Sequence, residues 1–237
     1  MRYASLPVLT LLLCLPVRAQ DNPVPVLDGL LSEVVENQRV DYDLVKRRYI
    51  GSLDAVLDLS EKIDPAQLNE KQRLAFYINL YNATMIKAVI DRGGVAFKPS
   101  DNDFQVFKDN IVRLKSGKIS LNELENGIIR KQFNDARIHA ALVCAAVSCP
   151  PLINKAYTEE KLDEQLDRNV KAWLTDRSRN VIDDATKTLK LSQIFDWYAA
   201  DFGGKDNLAK WVGEKLGRDL SGYKVEFMPY DWSLNKP

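Results

Sequence analysis

Apolar residues recur along most of this chain with the spacing of helices. Leu27 to Val35 and Tyr42 to Leu59 carry it first, the second run stopping near Lys62-Ile63-Asp64-Pro65, where proline disfavours continuation. The strongest period lies over Gln72 to Asp91. There Leu74, Ile78, Tyr81, Met85 and Val89 stand about one turn apart, and Gly93-Gly94 supplies the stop. Phe76, Ala83, Ile86 and Ile90 widen this surface until a narrow polar arc near Arg73, Thr84 and Lys87 remains, which predicts a central helix buried on most sides. Asn79 and Asn82 fall inside the apolar arc. A buried carboxamide left unpaired costs about 1–3 kcal/mol, so both are expected to have partners.

Further on the period changes. Ile111 to Leu114 and Lys118-Ile119 flank Ser116-Gly117 as a hairpin would, and Val181-Ile182 with Thr188 to Leu191 flank Asp183-Asp184 in the same way. Ser120-Leu121-Asn122-Glu123 fits a capping box opening a helix to about Gln132. Thr158 with Glu159 and Glu160 opens an amphipathic helix through Leu174, its acidic first turn suited to the macrodipole. Ser192 caps a short helix through Tyr198 that ends at Gly203-Gly204, and a helix near Leu208 to Leu216 and a strand at Tyr223 to Phe227 close the chain. The expected class is α+β, a helix-rich single domain over 27–237 with short antiparallel strands. No internal repeat or low-complexity linker divides it.

Composition adds bounds. At 237 residues, 46% hydrophobic and 28% charged, the chain is large enough to bury a core without cross-links or metals. Lys+Arg and Asp+Glu both number 33, and no basic run is interleaved with aromatics, which argues against a nucleic-acid partner. Leu6 to Val17, followed by Val17-Arg18-Ala19, reads as a signal peptide over 1–19 cleaved before Gln20, with a flexible lead-in over 20–26. A periplasmic or secreted location follows, with no membrane insertion after signal removal, because no later stretch reaches the roughly 20 apolar residues of a span. Lipidation at Cys14 is disfavoured by the bulky Leu13 before it.

Candidate chemistry gathers in Arg137 to Leu152, which holds the chain's single histidine, His139, with Cys144 and Cys149. Imidazole and thiol are the groups most readily activated near neutral pH. Three readings compete with a plainer one, a histidine and two free thiols simply packed and hydrogen-bonded. An oxidising compartment favours a Cys144–Cys149 disulfide. Five residues of strand would hold the two Cα atoms roughly 16 Å apart, so that bond needs a turn through Ala145 to Ser148. A thiol nucleophile served by His139 is the second reading, with Asn79 or Asn82 orienting the imidazole. The third is a metal held by His139, Cys144, Cys149 and a carboxylate such as Asp135, for which the spacing is poor, so neither metal nor cofactor is expected. Tyr77, Tyr81, Trp197, Tyr198, Tyr230 and Trp232 are candidates for a cleft wall, although core packing is their commoner role. The chain has no Walker A motif, no G-x-S-x-G, no H-E-x-x-H and no calcium loop.

Phe76-Tyr77-Ile78-Asn79-Leu80-Tyr81-Asn82-Ala83, the His139–Leu152 segment, Val40-Asp41-Tyr42 and Tyr230-Asp231-Trp232-Ser233-Leu234 together resemble the family called domain of unknown function 547, from about residue 25 to the C-terminus. The resemblance carries no settled reaction. Members often have a histidine in the helix corresponding to Glu123-Leu124-Glu125-Asn126, where this chain has Asn126. A fainter similarity, a buried helix followed by a strand that begins with histidine, is to the papain and transglutaminase layout, whose nucleophile would fall near Asn79 to Asn82, where no cysteine stands. The expected function is a non-catalytic module binding a small molecule or protein at a cleft near His139–Leu152. A Cys/His thiol hydrolase or acyltransferase is the alternative.

Overall fold

The computed structural model describes residues 22–237, so the expected leader, its cleavage site and Cys14 lie outside the described residues. The first helix, Pro23–Val34, opens with the Asn22 side chain accepting from the Val24 amide and proline at its start, where a missing N–H costs nothing. The lead-in expected over 20–26 is therefore helical from Pro23 onward. A two-residue hairpin, Val35–Glu36 with Arg39–Val40, turns the chain into Tyr42–Leu44, a π-helical stretch Val45–Tyr49 and the helix Ile50–Lys62.

The central helix spans Glu70–Asp91. Asn69 and Gln72 close a reciprocal capping box at its start, and residues 74–86 are buried without interruption. Thr84, expected on the polar arc, is 3% exposed, because neighbouring elements wrap this helix more completely than its own pattern implied. The helix anchors the larger of two apolar clusters. The smaller cluster is built on Trp173, stacked on Phe195 at 4.6 Å between ring centroids, with Phe202, Leu208 and Val212 around them.

The remaining elements follow the pattern closely. Val112–Leu114 pairs antiparallel with Gly117–Ile119, and Val181–Asp183 with Thr188–Leu191. The helix after Ser120 is π-helical over Glu123–Ile129 and ends in Arg130–Gln132. Leu162–Thr175, Ile194–Trp197 and Leu208–Leu216 stand where expected, although Thr158 makes no side-chain cap. The class is α+β. One pairing departs from the antiparallel expectation: Thr188–Leu191 runs parallel to Lys224–Phe227, because two helices and their loops separate the two strands and return the chain in the same direction. Among the described residues no helix is long and apolar enough to cross a membrane.

Candidate functional site: an aromatic cleft at the seam of two cores

The His139 segment lies between the two clusters and is held by side chains rather than by a sheet. Ala136–Ala140 is a 3-10 helix that Asp135 caps through the Arg137 amide. Asn82 then takes the next stretch with both ends of its carboxamide, Nδ2 donating to the Ala141 carbonyl at 2.9 Å and Oδ1 accepting from the Val143 amide at 2.9 Å. Asn79 does the same to Tyr157, at 2.8 and 2.9 Å. Backbone groups that a strand would offer to a neighbour are used up this way, so the histidine does not begin a strand as the papain-like layout requires. The expected partners of both amides are present. Neither amide is spent on the imidazole.

After Val143 the chain doubles back. Ala145 adopts a φ of 64°, in the left-handed region, and the Cys149 amide donates to the Ala146 carbonyl, making the turn that the disulfide reading demands. The Cα atoms of Cys144 and Cys149 stand 6.1 Å apart, inside the disulfide range, with the sulfurs at disulfide distance. The C-terminal segment straps this turn down. Val147 and Ser148 donate to the Ser233 and Asp231 carbonyls, Asn235 donates to Ala145, and Tyr42 donates its hydroxyl to the Asn235 side chain at 2.6 Å. The four sequence blocks that carry the family resemblance therefore converge on one place. The Tyr230 hydroxyl lies 3.2 Å from the Cys144 sulfur and 3.3 Å from that of Cys149.

His139 is 3% exposed, and Asp201 orients it. Nε2 lies 2.7 Å from Asp201 Oδ2, and since an ionised carboxylate only accepts, that nitrogen carries the proton. Arg130 grips the same carboxylate with two bonds, Nε to Oδ2 at 2.6 Å and Nη2 to Oδ1 at 2.8 Å. Its Nη1 donates to Asn126 Oδ1 at 2.8 Å, which joins that side chain to the network. Burial works against ionisation of Asp201, but hydrogen bonds from His139 and Arg130 outweigh it and hold the carboxyl well below the usual range. The Tyr198 ring lies 4.3 Å from the imidazole, centroid to centroid, and the Arg130 guanidinium lies 4.7 Å from the same ring.

In front of this network opens a cleft of about 280 Å³. His139, Cys144 and Cys149 form its floor together with Tyr81 from the central helix, and Glu125 lines it from the π-helical stretch and Asn122 from just before that stretch. Trp197, Tyr230 and Trp232 form an aromatic wall, with centroids 4.5–5.8 Å apart, and Phe104 meets Trp232 at 4.8 Å. Phe104 is carried there by a left-handed turn, Asn102 to Phe104 all having positive φ. Burial, and after it the Glu125 carboxylate, pushes the Tyr198 and Tyr81 phenols above their ordinary range. Trp197 is 48% exposed, unusual for so large a ring.

Of the expected site residues, the structure thus joins His139, Cys144, Cys149 and Tyr81 in one cleft and leaves Asn79 and Asn82 as backbone splints. Asp135 is held by Arg137 at 2.7–3.0 Å and does not line the cleft. Among the described residues no group of three or more His, Cys, Asp or Glu side chains is placed to hold a metal ion. Tyr77 packs on Phe76 and Phe133 in the core. Asp201, Arg130 and Glu125 escaped the sequence reading. Asp201 and Arg130 stand 62 and 71 residues from the partners they meet, and no local pattern marks such a pair.

No curated protein and no solved structure matches this chain. Residues 65–174 match the family model described as "Protein of unknown function, DUF547". That segment contains Tyr81, Glu125, Arg130, His139 and both cysteines, while Trp197, Tyr198, Asp201, Tyr230 and Trp232 lie beyond it. Through this central segment, the chain is similar to the DUF547 family.

Proposed function

We propose that the chain is an exported, non-catalytic recognition module that takes a small molecule or a protein segment into the aromatic cleft, acting in the periplasm or outside the cell. The observation that carries this reading is the pairing of the Cys144 and Cys149 sulfurs on the cleft floor. A bonded sulfur is no nucleophile, which leaves aromatic walls and fixed polar groups, the usual lining of a ligand site. A screen of small fragments followed by NMR of the indole N–H signals tests the binding half. Hits that perturb Trp197 and Trp232 together are expected, and a screen that never touches them sinks the reading.

The alternative of a Cys/His thiol hydrolase or acyltransferase draws on one observation: His139 and both cysteines line the same cleft, with the imidazole oriented by a carboxylate as a base would be. Thiol alkylation of the native protein separates the two. With the disulfide in place neither cysteine labels, and reduction lowers stability by about 2 kcal/mol through lost loop closure. Fast labelling of one cysteine, slowed by His139→Ala, would establish the thiol enzyme instead. Export has its own readout. The intact mass of the mature protein is expected to begin at Gln20, and retention of residues 1–19 or a lipidated Cys14 would refute it.

A further inference from the structure

Every other charge around the cleft has a partner. Asp201 is shared by Arg130 and His139, and Arg130 spends its remaining nitrogen on Asn126. Glu125 has phenol partners and no charged one. It lines the cleft and makes no ion pair with any described residue, and among the described residues no lysine or arginine lines the space it faces. Its surroundings are phenols and indoles: Tyr81 and Tyr198 beside it, Tyr230 within reach of its field, then Trp197 and Trp232 at the rim. The Tyr81 and Tyr198 hydroxyls hydrogen-bond this half-buried carboxylate, and Arg130 acts on it only from a distance, so its charge has neutral partners but no cation in contact with it. The negative face of each ring adds to the same electrostatic demand.

We propose that this cleft binds an organic cation, a compact alkylammonium or quaternary ammonium group, with Glu125 as counter-charge and Trp197, Tyr230 and Trp232 as the aromatic wall. The inference rests on the reading of the cleft as a recognition site and specifies its ligand class. A cation supplies what the site lacks, a positive charge facing Glu125 that presents an apolar, weakly hydrated surface to the rings. An anion would meet Glu125 without a compensating base. A neutral ligand would leave the carboxylate without a counter-charge in the cleft. The volume of about 280 Å³ suits a group of this size.

Choline and 3,3-dimethylbutan-1-ol form a matched pair of probes, equal in shape and different in one charge. Titrated into the native full chain and followed by tryptophan fluorescence or calorimetry, choline is expected to bind about tenfold or more tightly than the alcohol, a preference of the size that desolvated cation–π and charge contacts provide. The preference should shrink as salt is raised. Glu125→Gln should abolish it, and Trp197→Ala, at an exposed ring, should weaken choline binding in a chain that melts as the wild type does. Should Glu125→Gln fail to fold, the salt dependence and Trp197→Ala still decide. Equal binding of the two probes would overturn the cation inference and leave the cleft as an apolar recognition site. Binding of neither probe would overturn the inference too, with the fragment screen judging the cleft separately.

Discussion

Asn82→Ala is expected to lower the stability of the folded chain by about 3 kcal/mol, because it leaves two buried backbone groups unpaired at about 1–3 kcal/mol each. The Ala141 carbonyl would lose its donor and the Val143 amide its acceptor, both deep in the larger cluster, with no sheet neighbour to replace them. Asn82 is 4% exposed, so water reaches neither group. For a domain of this size, that loss corresponds to a fall in melting temperature of roughly 6–12 °C. Asn82→Asp discriminates a lost hydrogen bond from a lost shape. It keeps the acceptor for Val143 but places a carboxylate oxygen against the Ala141 carbonyl, and it should cost at least as much. Urea denaturation read by circular dichroism measures both variants. A change below about 0.5 kcal/mol in Asn82→Ala, the range of ordinary surface substitutions, would show that the segment holds itself up without the amide.

The same amide shows what the sequence made legible. Asn82 sits in an apolar arc set by a 3.6-residue period, and that alone required a buried partner. The partner's identity came with the fold, since it lies 59 and 61 residues away. Long periodic segments were readable throughout, with Leu208–Leu216 placed to the residue and Glu70–Asp91 extended by its capping box. One apolar run misled. The apolar run after His139 reads as a strand, yet the backbone groups of that run are claimed by Asn82 and by a 3-10 turn, a competition that periodicity does not record.

The cleft was half legible for the same reason. Unusual side chains flagged themselves: one histidine and two cysteines within eleven residues are visible by type alone. Asp201 and Arg130 belong to the commonest charged types and reveal their role only by meeting at the seam of the two clusters. Glu125 was named only as part of a helix. Its significance is the absence of a counter-charge, which is a property of three-dimensional surroundings. The aromatic residues were seen as a candidate wall, and their ordinary role in cores argued against them until Trp197 proved half exposed.

Asp201→Ala is expected to cost about 3 kcal/mol near neutral pH, the low end of what breaking a buried pair costs, because Asp201 itself is partly solvated. Three donors lose their acceptor at once: His139 Nε2 and two nitrogens of Arg130. The side chain of Asp201 is 24% exposed and that of Arg130 25%, so water partly recovers the guanidinium, while the imidazole, 2% exposed, is left unpaired. The pH dependence has a definite sign. The folded protein holds the Asp201 carboxyl below its unfolded value, so the unfolded chain binds the proton more readily and ionisation of Asp201 favours folding. That contribution is complete above the unfolded value of about 4 and is lost as pH falls through the lower folded value. Wild type and Asp201→Ala compared in urea from pH 7 downward should therefore differ by a constant amount above about pH 5, and the difference should shrink below about pH 4. Other carboxylates titrate in the same range in both proteins, and taking the difference removes them. A gap that stays constant to pH 2, or one that widens in acid, would mean that Asp201 is not ionised against His139 and Arg130. The oriented imidazole on the floor of the cleft would then need another explanation.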